Sequence, residues 1–367
     1  MKKSILFIGP LPPPVHGASL RNKSLINSRL LNSTFEFIII PIQFIEDNQE
    51  MGKFSFLKIY KALKLYYNVV KAIIKDKPDL VYLNMATFGF ALYRDTLTIL
   101  LIKILKKPLV IHLRTQKIKE QAEKSDFKNR MFKFVFKNTS IICLSDNLSN
   151  DVCTVYNGKV HIVNNGIALF NTKHIYVKKR TNNNVRFLFL SNLLKTKGVY
   201  DLIEASAQLN KITQNFEVWI VGKDAELTIN DVQYRIKQYK LESKIKVLEA
   251  AYNDEKIKMY LETDVFVLPT HFEAFPGVVL EAMQLGLPVI STNEGAIPEI
   301  VDHLQTGLIV TKQNIGQLCD AMHYFIRNRN ELDVFGKNAK EKFHTYYTME
   351  HFESNMKSTL DLILNAS

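Results

Sequence analysis

The sequence predicts an α/β protein made of two successive Rossmann-like domains. Its 367 residues are too many for one typical domain and suit two. Short apolar, β-branched runs alternate with helical stretches in both halves, a pattern typical of parallel, doubly wound sheets. A polar stretch over 171–184 is predicted to link the two series. We therefore expect domains over 1–170 and 185–345 and a C-terminal helix over 346–367, with a return of that helix to the first domain as one option.

The first domain is predicted to contain six strands, at 5–8, 35–41, 80–84, 109–113, 141–144 and 160–163. The clearest helical stretches lie between them, at 54–75, 88–105 and 119–136. The first apolar run is only four residues long, which is too short for the apolar part of a signal peptide. Ligands of doubly wound sheets bind at the carboxyl ends of the strands, so the loops there are the candidate binding loops.

Two loops of the first domain carry candidate residues. In the loop 10–19, Gly17 permits close approach of the backbone to a ligand, and His16 beside it is either a substrate contact or simply exposed. The fourth run ends in His112 and is followed by Arg114. His112 either contacts substrate or has a buried, supporting role.

The second domain is predicted to contain strands at 185–190, 216–221, 245–248, 265–268, 289–291 and 308–310. After the fourth of these, a loop leads into a helix over 277–285 that ends at Gly286. Pro276 lies where a missing N–H is tolerated. The free N–H groups of such a helix start favour an anion, so a phosphate is the expected ligand.

Two carboxylates flank this helix start, Glu273 in the loop and Glu281 about one turn inside the helix. Carboxylates that faced a phosphate would repel it, so we expect them to bind hydroxyl groups of a ribose and a hexose. The alternative is that Glu273 caps the helix and Glu281 is a solvated helix residue. The spacing alone leaves both interpretations open.

The segment resembles the donor-binding signature of the retaining glycosyltransferases often called family 4, or glycosyl transferases group 1. That pattern runs Glu-x-Phe-Pro-x4-Glu-Ala-Met-x-x-Gly-x-Pro-Val. The matching residues here are Glu273, Phe275, Pro276, Glu281, Ala282, Met283, Gly286, Pro288 and Val289. Further matches follow at Gly295, Pro298-Glu299-Ile300 and Thr306-Gly307-Leu308.

The resemblance implies the GT-B fold, in which two Rossmann-like domains border a cleft, with the acceptor on the first domain and the nucleotide sugar on the second. It also implies transfer of a hexosyl group with retention of configuration and without a metal or other cofactor. By the resemblance, Lys197 and the helix start bind the leaving diphosphate, Glu281 the ribose and Glu273 the transferred sugar. The implied donor-binding set is Gly17, Asn192, Lys197, Glu273, Phe275, Pro276, Gly277, Val278 and Glu281.

Two positions depart from the family pattern. The segment 187–198 resembles the family's Gly-Arg-Leu-x-x-x-Lys-Gly loop, but Asn192 stands where the arginine is usual. Asparagine provides neutral hydrogen bonds in place of a charged fork, so Lys197 is expected to supply most of the positive charge. The family also has a histidine near the transferring sugar, which corresponds either to His112 or to the position of Arg114. We therefore name Glu273, Lys197 and His112 as catalytic candidates, and His16 and Arg114 as acceptor-side candidates.

The net charge of +12 lies entirely in the first half, where 1–170 hold 25 Lys and Arg against 12 Asp and Glu. Two basic amphipathic stretches, 54–77 and 127–137, contribute much of it. Each either packs its apolar side on the sheet and exposes lysines, or lies on an anionic membrane surface. We expect a membrane partner and no nucleic acid, because no aromatic-plus-basic nucleic-acid module is present. Three scattered cysteines and the lack of an 18-residue apolar run favour a cytoplasmic protein, peripheral at the inner face of the cell membrane.

These observations together predict a retaining, metal-independent glycosyltransferase. It would move a sugar from a nucleotide-diphosphate donor to a saccharide or lipid-linked acceptor, in the synthesis of a cell-surface polysaccharide. The alternative is a GT-B partner without catalytic activity that binds nucleotide sugar or glycan within a transferase complex. Asn192 and the ambiguous register of His112 motivate this alternative, whereas Lys197, Glu273 and Glu281 argue against it.

Overall fold

The computed structural model describes residues 2–13, 17–43, 56–176 and 183–366, without the side chains of Phe56 and Lys58. The chain forms two compact units. Unit 1 consists of Met1–Asn165 and Glu350–Ser367, and unit 2 of Gly166–Met349.

Unit 1 is built on a six-stranded parallel sheet with the strand order β2-β1-β3-β4-β5-β6. The strands are β1 Lys3–Gly9, β2 Phe35–Pro41, β3 Leu80–Met85, β4 Leu109–Leu113, β5 Ser140–Cys143 and β6 Val160–Ile162. Because β1 pairs with both β2 and β3, the order reverses there, as it does in doubly wound sheets. β3 and β4 are buried on both faces and consist almost entirely of apolar residues.

The helices of unit 1 bury one face on this sheet and leave the other to solvent. They are α1 Gly17–Asn27, α2 Arg29–Thr34, α3 Phe56–Asp76, α4 Gly89–Ile104, α5 Ile118–Glu123, α6 Asp126–Phe136, α7 Asp146–Ser149 and, from the end of the chain, α15 Met349–Ala366. α3, α4, α5 and α6 contribute to one apolar core with the strands.

Unit 2 repeats this architecture with the strand order β12-β11-β10-β7-β8-β9, again all parallel. Its strands are β7 Val185–Leu190, β8 Phe216–Val221, β9 Ile245–Leu248, β10 Val265–Leu268, β11 Val289–Thr292 and β12 Gly307–Val310. The order reverses between β7 and β10, and the crevice at the carboxyl ends of these two strands is where such sheets bind ligands.

The helices of unit 2 are α8 Val199–Leu209, α9 Ile229–Gln238, α10 Asn253–Leu261, α11 Gly277–Gln284, α12 Ile297–Ile300, α13 Ile315–Arg327 and α14 Asn330–Tyr346. A 3₁₀ turn, Lys195–Lys197, precedes α8. No helix within the described residues combines the length and apolar character needed to span a membrane.

The predicted α/β fold with two parallel, doubly wound sheets is confirmed, and all twelve predicted strands are present. One predicted helix is wrong, because the stretch 119–136 is two helices rather than one. Ser125 ends the continuity: its side chain accepts a hydrogen bond from the N–H of Lys128 and caps α6.

Candidate functional site

The candidate site of unit 2 lies where its strand order reverses. The chain that leaves β7 forms the 3₁₀ turn with Lys197, and the chain that leaves β10 forms the loop 269–276 with Glu273. The Lys197 Nζ lies 2.5 Å from Oε2 of Glu273, and the two side chains are only 20% and 18% exposed. The structure thus brings together two predicted site residues that are 76 positions apart.

Backbone contacts fix the loop 269–276 against the 3₁₀ turn. The His271 N–H donates to the Thr196 carbonyl at 2.8 Å, and the Thr270 hydroxyl donates to the same oxygen at 3.0 Å. Gly198 permits this approach, since its φ is +76° and a Cβ there would lie 1.9 Å from the Pro269 carbonyl oxygen. Any side chain at this position would therefore displace the loop that carries Glu273.

The opposite side of the same loop is held by the chain after β11. The Ala296 N–H donates to the Ala274 carbonyl at 2.8 Å. A Cβ on Gly295, whose φ is +54°, would lie 2.1 Å from the Glu273 carbonyl oxygen. The position of the Glu273 backbone is therefore determined from both sides.

The start of α11 offers backbone donors beside Glu273. Pro276 is its N-cap residue and makes no side-chain capping hydrogen bond, whereas Ser125, Thr228 and Asn314 cap other helices of the chain. The first N–H groups of a helix have no partner within the helix and carry partial positive charge. Gly277 and Val278, the first residues of α11, are partly exposed, and Phe275 packs edge-to-face on Tyr347 with ring centroids 6.1 Å apart.

Glu281 has two partners on α10 that the sequence did not suggest. The Lys256 Nζ lies 2.7 Å from Glu281 Oε1, and the Tyr260 hydroxyl donates to Oε2 at 3.0 Å. Burial, followed by the neighbouring Glu281, raises the pKa of the Tyr260 phenol well above its usual value, so the phenol keeps its proton. The available signal was the i, i+4 spacing of Lys256 and Tyr260, which places them on one side of a helix.

Two further candidates, Asn192 and Gly17, take no part in these contacts among the described residues. Asn192 is exposed. Gly17 begins α1, and a Cβ there would meet no described atom within 4 Å, so no close backbone approach is present. His16 lies outside the described residues.

In unit 1, His112 is a fully buried residue of β4. Its Nδ1 is hydrogen-bonded to the Tyr82 hydroxyl, and we assign the phenol as donor, which places the imidazole proton on Nε2. Burial, with a contribution from nearby Arg114, holds the pKa of His112 well below its usual value, so the ring is neutral. Of the two roles left open for His112, these contacts favour the supporting one.

Arg114 immediately follows β4, and its guanidinium interacts with the Tyr82 hydroxyl as well as with Asn165. Its Nη1 donates to Oδ1 of Asn165 at 2.8 Å. The Nε and Nη2 atoms are buried and have no partner among the described residues, and burial lowers the pKa of the guanidinium. The His112 Nε2 is likewise buried and unpartnered within that part of the chain.

No group of three or more His, Cys, Asp or Glu side chains in the described ranges is arranged to hold a metal ion. Asp224 and Glu226, the closest acidic pair to β8, have structural partners instead. The Asp224 carboxylate accepts from the N–H of Ile229 at 2.8 Å, and Glu226 pairs with Lys195 at 3.4 Å.

Residues 171–342 match the family described as Glycosyl transferases group 1. The match lies within unit 2. Among curated relatives, the capsular polysaccharide biosynthesis glycosyltransferase CapM of Staphylococcus aureus is 25% identical over 64% of this chain. The putative colanic acid biosynthesis glycosyltransferase WcaL of Escherichia coli is 27% identical over 49% of it. The matched regions span 64% and 45% of the length of these two relatives.

Solved structures share the fold across almost the whole chain. The sucrose-phosphate synthase of Thermosynechococcus elongatus superimposes with a TM-score of 0.75 at 17% identity, covering 100% of both chains. Alr3699/HepE of Anabaena in complex with UDP also has a TM-score of 0.75 at 18% identity, covering 98% of this chain and 100% of that one. The predicted GT-B fold is confirmed.

Proposed function

We propose that this protein is a retaining, metal-independent glycosyltransferase that moves a hexosyl group from a nucleotide-diphosphate donor to a saccharide or lipid-linked acceptor. The observation that carries the proposal is the Lys197–Glu273 contact at the switch point of unit 2, beside the uncapped start of α11. An ammonium, free backbone donors and a carboxylate then surround a crevice of the kind that binds nucleotides. The relatives named for polysaccharide synthesis and the neighbour that holds UDP support the same assignment.

The diphosphate would bind at the start of α11 and beside Lys197. As the bond between the anomeric carbon and the phosphate oxygen breaks, negative charge grows on the leaving diphosphate. Fixed donors aimed at developing charge are each worth about 3–4 kcal/mol. Because Glu273 already balances the charge of Lys197, the helix start supplies much of the remaining attraction. Glu273 would at the same time accept hydrogen bonds from hydroxyls of the transferred sugar.

Glu281 would hold the ribose. Lys256 and Tyr260 each occupy one of its oxygens and fix the plane of the carboxylate. An ionised carboxylate offers about four acceptor positions, so two remain for ribose hydroxyls.

Retention would follow from attack of the acceptor hydroxyl on the face that the diphosphate leaves. The acceptor oxygen forms a bond to the anomeric carbon, and its proton passes to an oxygen of the departing phosphate. No carboxylate general base and no metal are needed, since Lys197 and the α11 N–H groups stabilise the leaving group.

A basic apolar surface on unit 1 supports a membrane-bound acceptor. On α3 the core side consists of Ala62, Leu65, Val69 and Ile73, and a second apolar stripe faces solvent. That outer stripe, Tyr60, Leu63, Tyr67 and Ile74, is 61 to 65% exposed. Lys64, Lys71 and Lys75 accompany it and are exposed as well.

Helices α4 and α6 extend this surface, because α4 contacts both α3 and α6. Phe90, Tyr93, Leu97, Leu100 and Ile104 form an i, i+3, i+4 stripe on α4 that is 36 to 64% exposed. Phe127 and Phe134 of α6 are 67% and 45% exposed. Lys53 and Phe54 of the predicted stretch lie outside the described residues.

Exposed aromatic residues with interspersed lysines fit an anionic bilayer, in which rings enter the interface and ammonium groups meet lipid phosphates. We therefore place the enzyme at the inner face of the cell membrane, where its acceptor would be a growing, lipid-linked saccharide.

A panel of radiolabelled nucleotide sugars, incubated with the purified chain and membrane lipid extracts, tests the function. We expect transfer from one donor, unchanged activity with EDTA, and an anomeric configuration in the product that matches the donor by NMR. Loss of activity with EDTA would contradict the metal-free mechanism, and inversion would contradict retention. Nucleotide-sugar binding without release or transfer would favour the non-catalytic alternative.

A further inference from the structure

Arg114 is a partly buried cation for which no described residue supplies a carboxylate. Asn165 accepts a hydrogen bond from its Nη1 and the neutral Tyr82 phenol lies beside the guanidinium, while the buried Nε and Nη2 atoms make no hydrogen bond within the described part of the chain. Burial of a charged donor without a partner is costly, because the group loses its hydration and gains nothing in exchange. Such groups are few in native structures, and each needs an explanation, such as a catalytic role or a bound ion.

Two acids bound to loops that follow β3 and β4, and the phenol beside Arg114, do not supply this carboxylate. The fully buried Asp95 is bonded to Arg94 at 2.7 Å. Asp151 accepts hydrogen bonds from two backbone N–H groups at the start of α5. The Tyr82 phenol lies close to Arg114, but burial raises its pKa to about 12 although Arg114 opposes the shift, so it stays neutral near pH 7.

The two unpartnered nitrogens are the ones that recognise oxyanions. In arginine, Nε–H and one N–H of Nη2 lie parallel on the same edge of the guanidinium plane and bind two oxygens of a carboxylate or phosphate at once. The hydrogen bond from Nη1 to Asn165 fixes the orientation of that plane. His112, two residues earlier, adds a further buried donor at Nε2.

We propose that Arg114 binds an oxyanion carried by a substrate, at the carboxyl edge of the unit 1 sheet. The substrate is then an acidic sugar such as a uronic acid, or a saccharide that carries a phosphate. This inference rests on the proposed function, because it names the chemical class of one of the two substrates of that reaction. The oxyanion belongs either to the transferred sugar or to the acceptor. Ligand pairs that differ only in charge distinguish these two sources.

Isothermal titration calorimetry of the full chain tests the proposal with pairs that differ only in charge. UDP-glucuronate against UDP-glucose forms the donor pair. Methyl glucuronide against methyl glucoside, and the 6-phosphate of methyl glucoside against the same glucoside, form the acceptor pairs. We expect the acidic member of one pair to bind about 10- to 100-fold more tightly, the range for a charge-assisted, bidentate contact. The pair that shows the preference identifies the source.

Three variants connect the preference to the guanidinium. Arg114→Gln is expected to abolish it, and Arg114→Lys, which keeps the charge but not the fork, to retain only part of it. Arg29→Gln is the matched control, because Arg29 is an exposed arginine of α2 in the same unit. It should leave the preference unchanged. Since Arg114 lacks a counter-charge, Arg114→Gln should fold with an equal or higher Tm in the absence of ligand.

Equal affinities within every pair for the wild-type chain would overturn the proposal, as would a preference that persists in Arg114→Gln. If UDP binds but no acidic ligand is preferred, only this inference fails. If no nucleotide or nucleotide sugar binds while Arg114 still selects the acidic glycoside, the oxyanion site stands and the proposed function fails.

Discussion

The two units differ in whether their charged side chains are paired with carboxylates. Around the switch point of unit 2, Lys197 pairs with Glu273 and Lys256 pairs with Glu281, and the His271 imidazole is hydrogen-bonded to Asp201. In unit 1, the partly buried Arg114 has no carboxylate partner among the described residues, and exposed lysines accompany an exposed apolar surface. Side chains in an ion pair orient one another before a ligand binds. Charged side chains without such a pair remain available to a ligand or a surface. Under the proposed function, this difference suits unit 2 to binding the donor and unit 1 to selecting the acceptor.

The largest expected effect concerns the Lys197–Glu273 pair of unit 2. Lys197→Ala should lower turnover by roughly 10² or more, because it removes the ammonium from the developing charge on the diphosphate. The matched control is Lys195→Ala, which removes an exposed lysine of the same 3₁₀ turn whose partner is Glu226. Steady-state transfer assays of both variants check this. Equal losses would indicate that the turn, rather than the Lys197 ammonium, is responsible.

In unit 1, replacing Lys64, Lys71 and Lys75 by glutamine should weaken binding to anionic liposomes by roughly 100-fold. Each lysine near such a surface contributes about 1 kcal/mol to the binding free energy. Cosedimentation with vesicles of anionic and of neutral lipid measures it. A triple variant of unit 2, Lys211, Lys237 and Lys337 to glutamine, removes the same charge from exposed positions and should bind as the wild type does. Duplex DNA serves as a competing partner, and tight, salt-sensitive binding to it would contradict the membrane assignment.

A smaller effect is expected at the second ion pair. Glu281→Gln should weaken nucleotide binding about 10-fold, because a neutral amide replaces a charged acceptor for the ribose hydroxyls. Tyr260→Phe should cause a smaller loss, since it only frees the carboxylate to rotate. Glu255→Gln, an exposed acid of the same helix α10, is the control. Unchanged nucleotide affinity in Glu281→Gln would remove its ribose role.

The smallest expected effect is a dependence of stability on pH. The folded chain disfavours protonation of His112, whereas the unfolded chain protonates it near pH 6.5. Its contribution is therefore fully present above that pH and is lost as the pH falls below it, by at most about 1.4 kcal/mol per pH unit. Calorimetric melting from pH 7.5 to 5.5 should show a shallower slope in His112→Gln. Parallel slopes would place the proton uptake elsewhere.

Periodicity and turn chemistry predicted the strands well, because parallel strands buried on both faces consist of continuous apolar runs. The same reliance on apolar runs did not predict the exposed apolar stripe of α4. That helix is apolar on all sides, and the sequence cannot tell which apolar side faces the sheet. The break at Ser125 was missed because the apolar period continues on both sides of it.

The site was predictable to the extent that it follows a local motif. Glu273 and Glu281 belong to one segment, and Lys197 to another with its own pattern. Lys256 and Tyr260 lie on a separate helix, and only folding reveals that they meet Glu281. The sequence likewise could not predict that no described carboxylate pairs with Arg114, because that depends on the three-dimensional surroundings and not on residue spacing.

Helix α15 makes unit 1 discontinuous along the chain. Phe352, Met356, Leu360 and Ile363 of this helix are buried, and residues 350–367 belong to the same compact unit as residues 1–165. During synthesis, unit 2 can close before unit 1 has received all of its interior side chains. A fragment that stops after unit 2 would leave unit 1 without the buried side chains of α15, so unit 1 completes its fold last although most of it is translated first.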